Sequence, residues 1–482
     1  MADLRPVVLI IGAMVTFLGV FMLAPMTADI VAGNNGWRSF AISAMITLFI
    51  GIILLLGTRG GHVRLSVRGA FFLTTVSWVV LCLFASLPFM LGETPLRFVD
   101  AMFESMSGLT TTGSTILSGL DTMDKGILLW RAILEWIGGI GIIVTALAVL
   151  PMLKVGGMQL FSSEWFDPMG KFLPRAGGIA GGIAMVYVAL TVLCGGIYWM
   201  LGMSAFDAMC HAMTTISTGG FSNSDASFAT YAPAGADIAA SIFMIAGALP
   251  FGLYILAANG KPMAIFRDAQ VRAFFGILFA VIVFVVIYIW MQGVQTTVSP
   301  LRAATFNVIS ILTGTGYSLG SFESWGPAMA GMFFLLMFMG GCAGSTSCSI
   351  KIFRFQVAAE GLRIYIRRML HPREVDTMVY NGQPLPESAL YSVFGFIFMF
   401  FSCFAALAIG LSLTGLDPIT ALSSAATSIA NVGPGLGPIV GTSGNFAPLP
   451  DAAKWMMAAG MIVGRLEIFT VLVLFTPKFW LS

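Results

Sequence analysis

Ten apolar stretches divide this chain, separated by short segments rich in Gly, Pro, Thr, Asn and charged residues. They cover residues 7–30, 40–56, 69–91, 127–153, 178–201, 238–258, 273–291, 328–341, 389–413 and 455–475. Most approach or exceed the ~20 residues a helix needs to cross ~30 Å of hydrocarbon. The eighth is too short and runs into a Gly/Ser/Cys segment, which predicts one broken span. The first is long and its polar end lacks a small-residue cleavage site, so it reads as a retained helix and not a signal peptide. An even number of crossings places both termini on one side.

A second kind of stretch recurs between the spans. Four short helix-forming segments, beginning near Asp100, Asp207, Ala304 and Ala421, each end in a glycine set among Thr, Gly, Asn or Val. The four ends are Thr111-Thr112-Gly113, Thr218-Gly219-Gly220, Gly314-Thr315-Gly316 and Asn431-Val432-Gly433, with glycines 107, 96 and 117 residues apart. As a helix, the twelve residues from Asp100 to Thr111 would measure only about 18 Å. Such a half-helix enters a membrane without crossing it, and is tolerated only where protein or a water cavity surrounds it. Its C-terminal end carries partial negative charge, which favours a cation. Asp100 and Asp207 are expected to cap the first two.

Composition fits a polytopic membrane protein: 58% of the 482 residues are hydrophobic, 10% are charged, and mean hydropathy is +0.93. Soluble domains carry about 25% charged residues. Seventeen of the 24 Lys and Arg fall on one side of the expected topology, which makes that side, and both termini, cytoplasmic. The other side carries thirteen acids against six basic residues, a bias that attracts cations. Glu135 and Asp237 belong to that set, at a depth the pattern leaves open.

The third and fourth glycine motifs resemble the Thr-Val-Gly-Tyr-Gly loop whose carbonyl oxygens replace the water around a potassium ion. A conducting filter needs about four such loops around one axis, and the chain supplies four, which points to a cation pathway. The competing reading is that Gly/Thr-rich loops merely pack transmembrane helices. Four in phase, each between two spans, favour the filter.

These motifs, with Gly340-Gly341-Cys342-Ala343-Gly344-Ser345-Thr346 and Gly464-Arg465-Leu466-Glu467, resemble the Trk/Ktr/HKT superfamily of potassium and sodium transporters, most closely its bacterial TrkH/TrkG branch. The resemblance covers nearly the whole chain. It implies an all-α polytopic fold: two leading transmembrane helices (residues 1–62), then four pseudo-symmetric helix–pore-loop–helix repeats around a central pore (63–175, 176–268, 269–384 and 385–482). It implies potassium uptake, with the ion bound at the filter carbonyls. Family members with Ser at the first filter glycine commonly pass sodium, so Gly113 implies potassium preference.

By the same resemblance, residues 340–349 form an intramembrane gating loop in which Gly340, Gly341, Gly344, Ser345 and Thr346 take part. Ser347, Cys348 and Ser349 depart from the family's glycine-richer pattern there. The resemblance also places Arg465 beside the pore as a barrier to cations. A kinked helix, and an arginine satisfied by helix-end carbonyls, are the structural alternatives. Glu467, two positions from Arg465, lies on another helix face and is a poor partner for it.

A basic stretch bearing Arg363, Arg367 and Arg368 reads either as an anchor to anionic membrane lipid or, by resemblance, as the dock for a TrkA-type nucleotide-binding regulatory subunit. The resemblance also implies a homodimer in a bacterial cytoplasmic (inner) membrane. No nucleic-acid partner and no cofactor of the chain itself is expected. The other functional class, an ion-coupled (H+ or Na+) potassium symporter, would use an acid deep in the membrane; only Glu467 is clearly placed so. An intramembrane enzyme would need converging His, Asp/Glu or Ser groups at one depth, and the sequence offers none.

Overall fold

The computed structural model describes residues 4–58, 66–148, 176–373 and 377–481. The boundaries expected at 62 and 175, the end of the fourth apolar stretch, and the basic residues Arg59, Arg64, Lys154, Lys171 and Arg175 lie outside the described residues. The chain is helical apart from one two-stranded hairpin among the described residues, Val379–Tyr380 with Gln383–Pro384.

Seven described helices are long and apolar enough to cross a membrane: Arg5–Ala32, Trp37–Gly57, Val67–Leu91, Lys125–Ile143, Ala180–Met200, Ala269–Gln292 and Glu387–Leu413. Counting each of two bent pairs as one span makes nine. The leading pair packs through small residues. Gly12 lies against Leu54 and Gly51 against Thr16, so the backbones approach closely. Large apolar side chains such as Phe279, Phe284 and Trp290 stay exposed, as expected of a surface solvated by lipid rather than water.

Three of the ten apolar stretches depart from straight spans. The sixth splits into Ala236–Ala248 and Phe251–Ala258. Pro250 has no N–H to continue the helix, and Phe251 N donates instead to Gly344 O at 2.9 Å. The eighth is helical only over Pro327–Leu336; irregular backbone follows until the helix Ile352–Leu370.

The tenth is the larger correction. It was expected as one span with Arg465 near its middle, but Asp451–Arg465 and Ile468–Phe475 meet at 113°. Glu467 sits at the corner with φ 62, a left-handed conformation unusual outside glycine. An ion pair to Arg354 at 2.5 Å holds its carboxylate there. Arg465 is therefore a last-turn residue.

The four half-helices are Phe98–Leu109, Ala205–Ile216, Pro300–Thr313 and Pro418–Ala430. Pro300 and Pro418 occupy the first turn, where a missing N–H costs nothing. Asp100 and Asp207 also lie in their first turns, but neither is the cap. Ser204 caps the second half-helix by accepting from Asp207 N at 3.0 Å. Asp100 pairs with Arg97 at 2.9 Å and Lys454 at 2.6 Å, fastening the first half-helix to Asp451–Arg465.

Two cores surround the half-helices. One joins the second and third repeats. The other joins the leading helices with the first repeat and much of the fourth. Most half-helix residues are buried, and in the first all but Phe98. They are thus enclosed by protein, which is the condition for a helix that stops inside a membrane.

Candidate ion pathway

All four half-helices end alike. Thr111, Thr218, Gly314 and Asn431 have φ of 51, 51, 74 and 52, and two residues later Gly113, Gly220, Gly316 and Gly433 have φ of 81, 87, 83 and 111. The N–H between each pair turns back onto the helix. Thr112 donates to Ser107 O at 2.8 Å, Gly219 to Thr214 O at 2.9 Å, Thr315 to Ser310 O at 2.9 Å and Val432 to Thr427 O at 3.2 Å. This is the capping bond that closes a helix at a left-handed residue. Alternating positive and negative φ gathers N–H groups on one side of a strand and carbonyls on the other.

The four loops close a ring. A β-carbon built on Gly113 would fall on the carbonyl oxygen of Gly219, and one on Gly220 would fall on that of Thr315. On Gly316 it would meet Val432 O, and on Gly433 it would come within 2.9 Å of Thr112 O. Each loop thus lays the carbonyl of its middle residue against the glycine of the loop before it, and the first does the same for the fourth. Only residues without a side chain permit that approach. The four glycines also line one cavity of about 510 Å³, together with Arg131, Ser222 and Asp225.

Bridges between repeats hold the ring from behind. Asn431 Nδ2 donates to Thr112 Oγ1 at 2.8 Å and to Met461 O at 3.0 Å, and Ser114 Oγ donates to Gly433 O at 2.7 Å. The Tyr317 hydroxyl meets Thr214 Oγ1 at 2.5 Å. Phe221 N donates to the Glu135 carboxyl at 3.1 Å. Arg131 and Glu104 form a buried ion pair at 2.8 Å; Arg131 also donates to Ser222 O at 2.9 Å and covers the Phe221 ring.

Of this backing layer the sequence pattern pointed to Thr112 and Asn431 but not to Ser114, Tyr317, Arg131 or Glu104. Part of it had a signal: Ser107, Thr214, Ser310 and Thr427 each stand six residues before a glycine of the ring.

On the other side of the ring lies the irregular segment of the third repeat. Thr346 Oγ1 contacts Ile216 O at 3.0 Å and Gly247 O at 2.9 Å, and accepts from Thr218 Oγ1 at 3.2 Å. Cys342 N donates to Ala248 O at 3.0 Å. Within the segment, Gly341 N donates to Ser347 Oγ at 2.8 Å and Ser345 Oγ to Cys342 O at 2.6 Å. Gly340 pairs with Ile350 O at 2.6 Å, and Gly344 O receives Phe251 N. The segment therefore packs against the end of the second half-helix and the end of the helix Ala236–Ala248, and Cys348 Sγ comes within 3.8 Å of Thr111 Oγ1 at the end of the first. Ala343 N reaches Gln270 Oε1 at 2.8 Å, beside Asp268, whose carboxyl burial pushes above its usual range.

Arg465 is buried beside this segment. Its guanidinium donates to Thr346 O at 3.2 Å, Gly138 O at 3.1 Å and Cys348 Sγ. Neither carbonyl is a helix end, since Gly138 lies inside the helix Lys125–Ala148 and Thr346 in the irregular segment, and two of the three contacts belong to the segment itself. A cavity of about 30 Å³ remains between Arg465, Glu467 and residues 344–349, space for about one water.

Comparison with known proteins places this geometry among transporters. Residues 37–482 match the model of the TrkH family, described as cation transport protein. The Trk system potassium uptake protein TrkI of Halomonas elongata is 47% identical over 98% of this chain and 96% of its own. TrkH of Escherichia coli K12 is 35% identical, with 99% of each chain covered. The crystal structure of the potassium transporter TrkH from Vibrio parahaemolyticus superposes with a TM-score of 0.91. It is 32% identical and covers 99% of this chain and all of that one.

Proposed function

The chain belongs to the TrkH family of cation transport proteins, and from that premise we propose that it carries potassium into the cell through the ring formed by Gly113, Gly220, Gly316 and Gly433. The observation that carries this reading is ring closure: each middle carbonyl, of Gly219, Thr315 and Val432, lies against the preceding repeat's glycine, and that of Thr112 against Gly433. Dehydrating a potassium ion demands several oxygens at once, and four converging loops supply them. Thr111, Thr218, Gly314 and Asn431 turn the chain into the ring. The relatives TrkI of Halomonas elongata and TrkH of Escherichia coli are potassium uptake proteins, which supports the choice of ion.

Residues 340–349 serve as the gate; their contacts to Ile216 O, Thr218 and Thr111 at the ends of two half-helices support this. Arg465 holds that segment in place and sets a positive charge by the ion path. Glu467, the acid a proton-coupled reading would use, is ion-paired with Arg354, which favours passive conduction over coupled symport.

Around this core we place a multi-pass protein of the bacterial inner membrane, termini cytoplasmic, acting as a homodimer. The helix Ile352–Leu370, with Arg363, Arg367 and Arg368 exposed, is the dock for a TrkA-type regulatory subunit.

The test is Gly113→Ser. Its side chain would press on Gly219 O at a backbone angle L residues rarely adopt. Proteoliposomes should show weakened discrimination between potassium and sodium. Unchanged preference in a folded variant would mean that the first loop is not part of the filter.

A further inference from the structure

Three of the four filter loops carry a side chain at their middle position, namely Thr112, Thr315 and Val432; the second loop has Gly219. Gly219 does not have a positive φ, so backbone conformation does not demand glycine there. Space does. A β-carbon at Gly219 would lie on the carboxyl group of Glu135, which is fully buried on the helix Lys125–Ala148 of the preceding repeat. The same carboxyl accepts from Phe221 N, the residue after the filter glycine, at 3.1 and 3.2 Å to its two oxygens.

We propose that Glu135 is a selectivity-determining positioning residue: its carboxyl takes the place of the side chain missing at Gly219 and sets the second loop of the filter. The inference rests on the filter reading above and deepens it.

The geometry explains why this loop needs such a wedge. Thr112 is braced through its own hydroxyl by Asn431 and Thr110, and Thr315 by Thr313. Gly219 has no side chain to brace, and two consecutive glycines, Gly219 and Gly220, add backbone freedom. Glu135 supplies the missing brace from outside the loop, filling the void beside Gly219 while fixing the peptide of Phe221. Buried polar groups with a fixed partner hold one geometry, and a filter that weighs potassium against sodium depends on where its carbonyls stand.

The experiment compares ion preference in proteoliposomes for a set of variants with similar membrane yield. Glu135→Ala should lose most discrimination against sodium, by about tenfold, the scale of one lost positioning contact of about 1.4 kcal/mol. Glu135→Gln, which keeps the shape and the acceptor oxygen, should retain the parent's preference. Gly219→Ser should displace the carboxyl and lower preference even with Glu135 present. The double variant Glu135→Ala/Gly219→Thr rebuilds the arrangement of the first and third loops and should recover preference. A purely structural glutamate would alter yield or total flux but not preference, and a side chain at Gly219 would not rescue its loss.

Retained preference in Glu135→Ala, or failure of the double variant to recover it, overturns the proposal. Should Glu135→Ala not fold, Glu135→Gln and Gly219→Ser decide between them: equal preference in these two and the parent overturns it as well. Gly113→Ser serves as the internal control. If it shifts preference while the Glu135 set does not, the filter stands and this inference fails; if neither shifts, the filter reading itself fails.

Discussion

Arg131 and Glu104 brace the first glycine loop from behind. Their ion pair is buried, and Glu104 also accepts from Thr115 Oγ1 at 2.9 Å and Ile116 N at 2.9 Å just beyond the first glycine loop. Removing one member of a buried pair leaves the other charge without compensation, a loss of about 3–5 kcal/mol. Arg131→Met should therefore lower the melting temperature of the detergent-solubilised protein markedly, whereas Arg363→Met, at an exposed pair, should leave it nearly unchanged. Tyr317 acts more locally. Tyr317→Phe removes the hydroxyl that meets Thr214 Oγ1 but keeps the ring in its cluster with Phe228 and His211. Potassium flux measurements should show reduced ion discrimination with near-normal thermal stability.

Among the elements, the irregular segment and the broken last helix act together. The segment hangs from Ile216 O, Gly247 O and Ala248 O on one side and from the Arg465 guanidinium on another. Deleting several residues within 340–349 should raise potassium flux if the segment obstructs the path; unchanged flux in a folded deletion would make it an ordinary break in a helix. Arg465→Ala both unties the segment and removes a charge. At ~8 Å and an effective dielectric of ~20, that charge opposes a cation by about 2 kcal/mol, over tenfold in rate at a limiting barrier. Flux should therefore increase with ion preference largely kept, and Arg465→Lys should change it less. Loss of transport at normal protein level would show that the arginine is needed to build the path rather than to restrict it.

For the molecule as a whole, the sequence was most legible where the same local rule repeats. The glycine triplets could be read because each follows a helix end with a glycine of positive φ that a neighbouring carbonyl approaches closely, a demand only glycine meets. Most of the spans were legible from continuous apolar runs, the signal that hydrocarbon imposes. What stayed hidden depends on distant partners. The corner at Glu467 lies within apolar sequence, and its conformation follows from Arg354, 113 positions away. Glu135 looked like one more outward-side acid because its partner, the Phe221 peptide, belongs to the next repeat. Asp100 looked like a helix cap, and its role as a fastener appears only with Lys454 in place.

The central claim is that four loops from one chain surround a single cation site. Crystals soaked in rubidium, a potassium substitute with usable anomalous scattering, test it most directly. The account predicts an anomalous peak on the axis between the carbonyl oxygens of Thr112, Gly219, Thr315 and Val432, lost when potassium and rubidium are replaced by sodium. A peak elsewhere, or none on that axis in protein that transports rubidium, would contradict it.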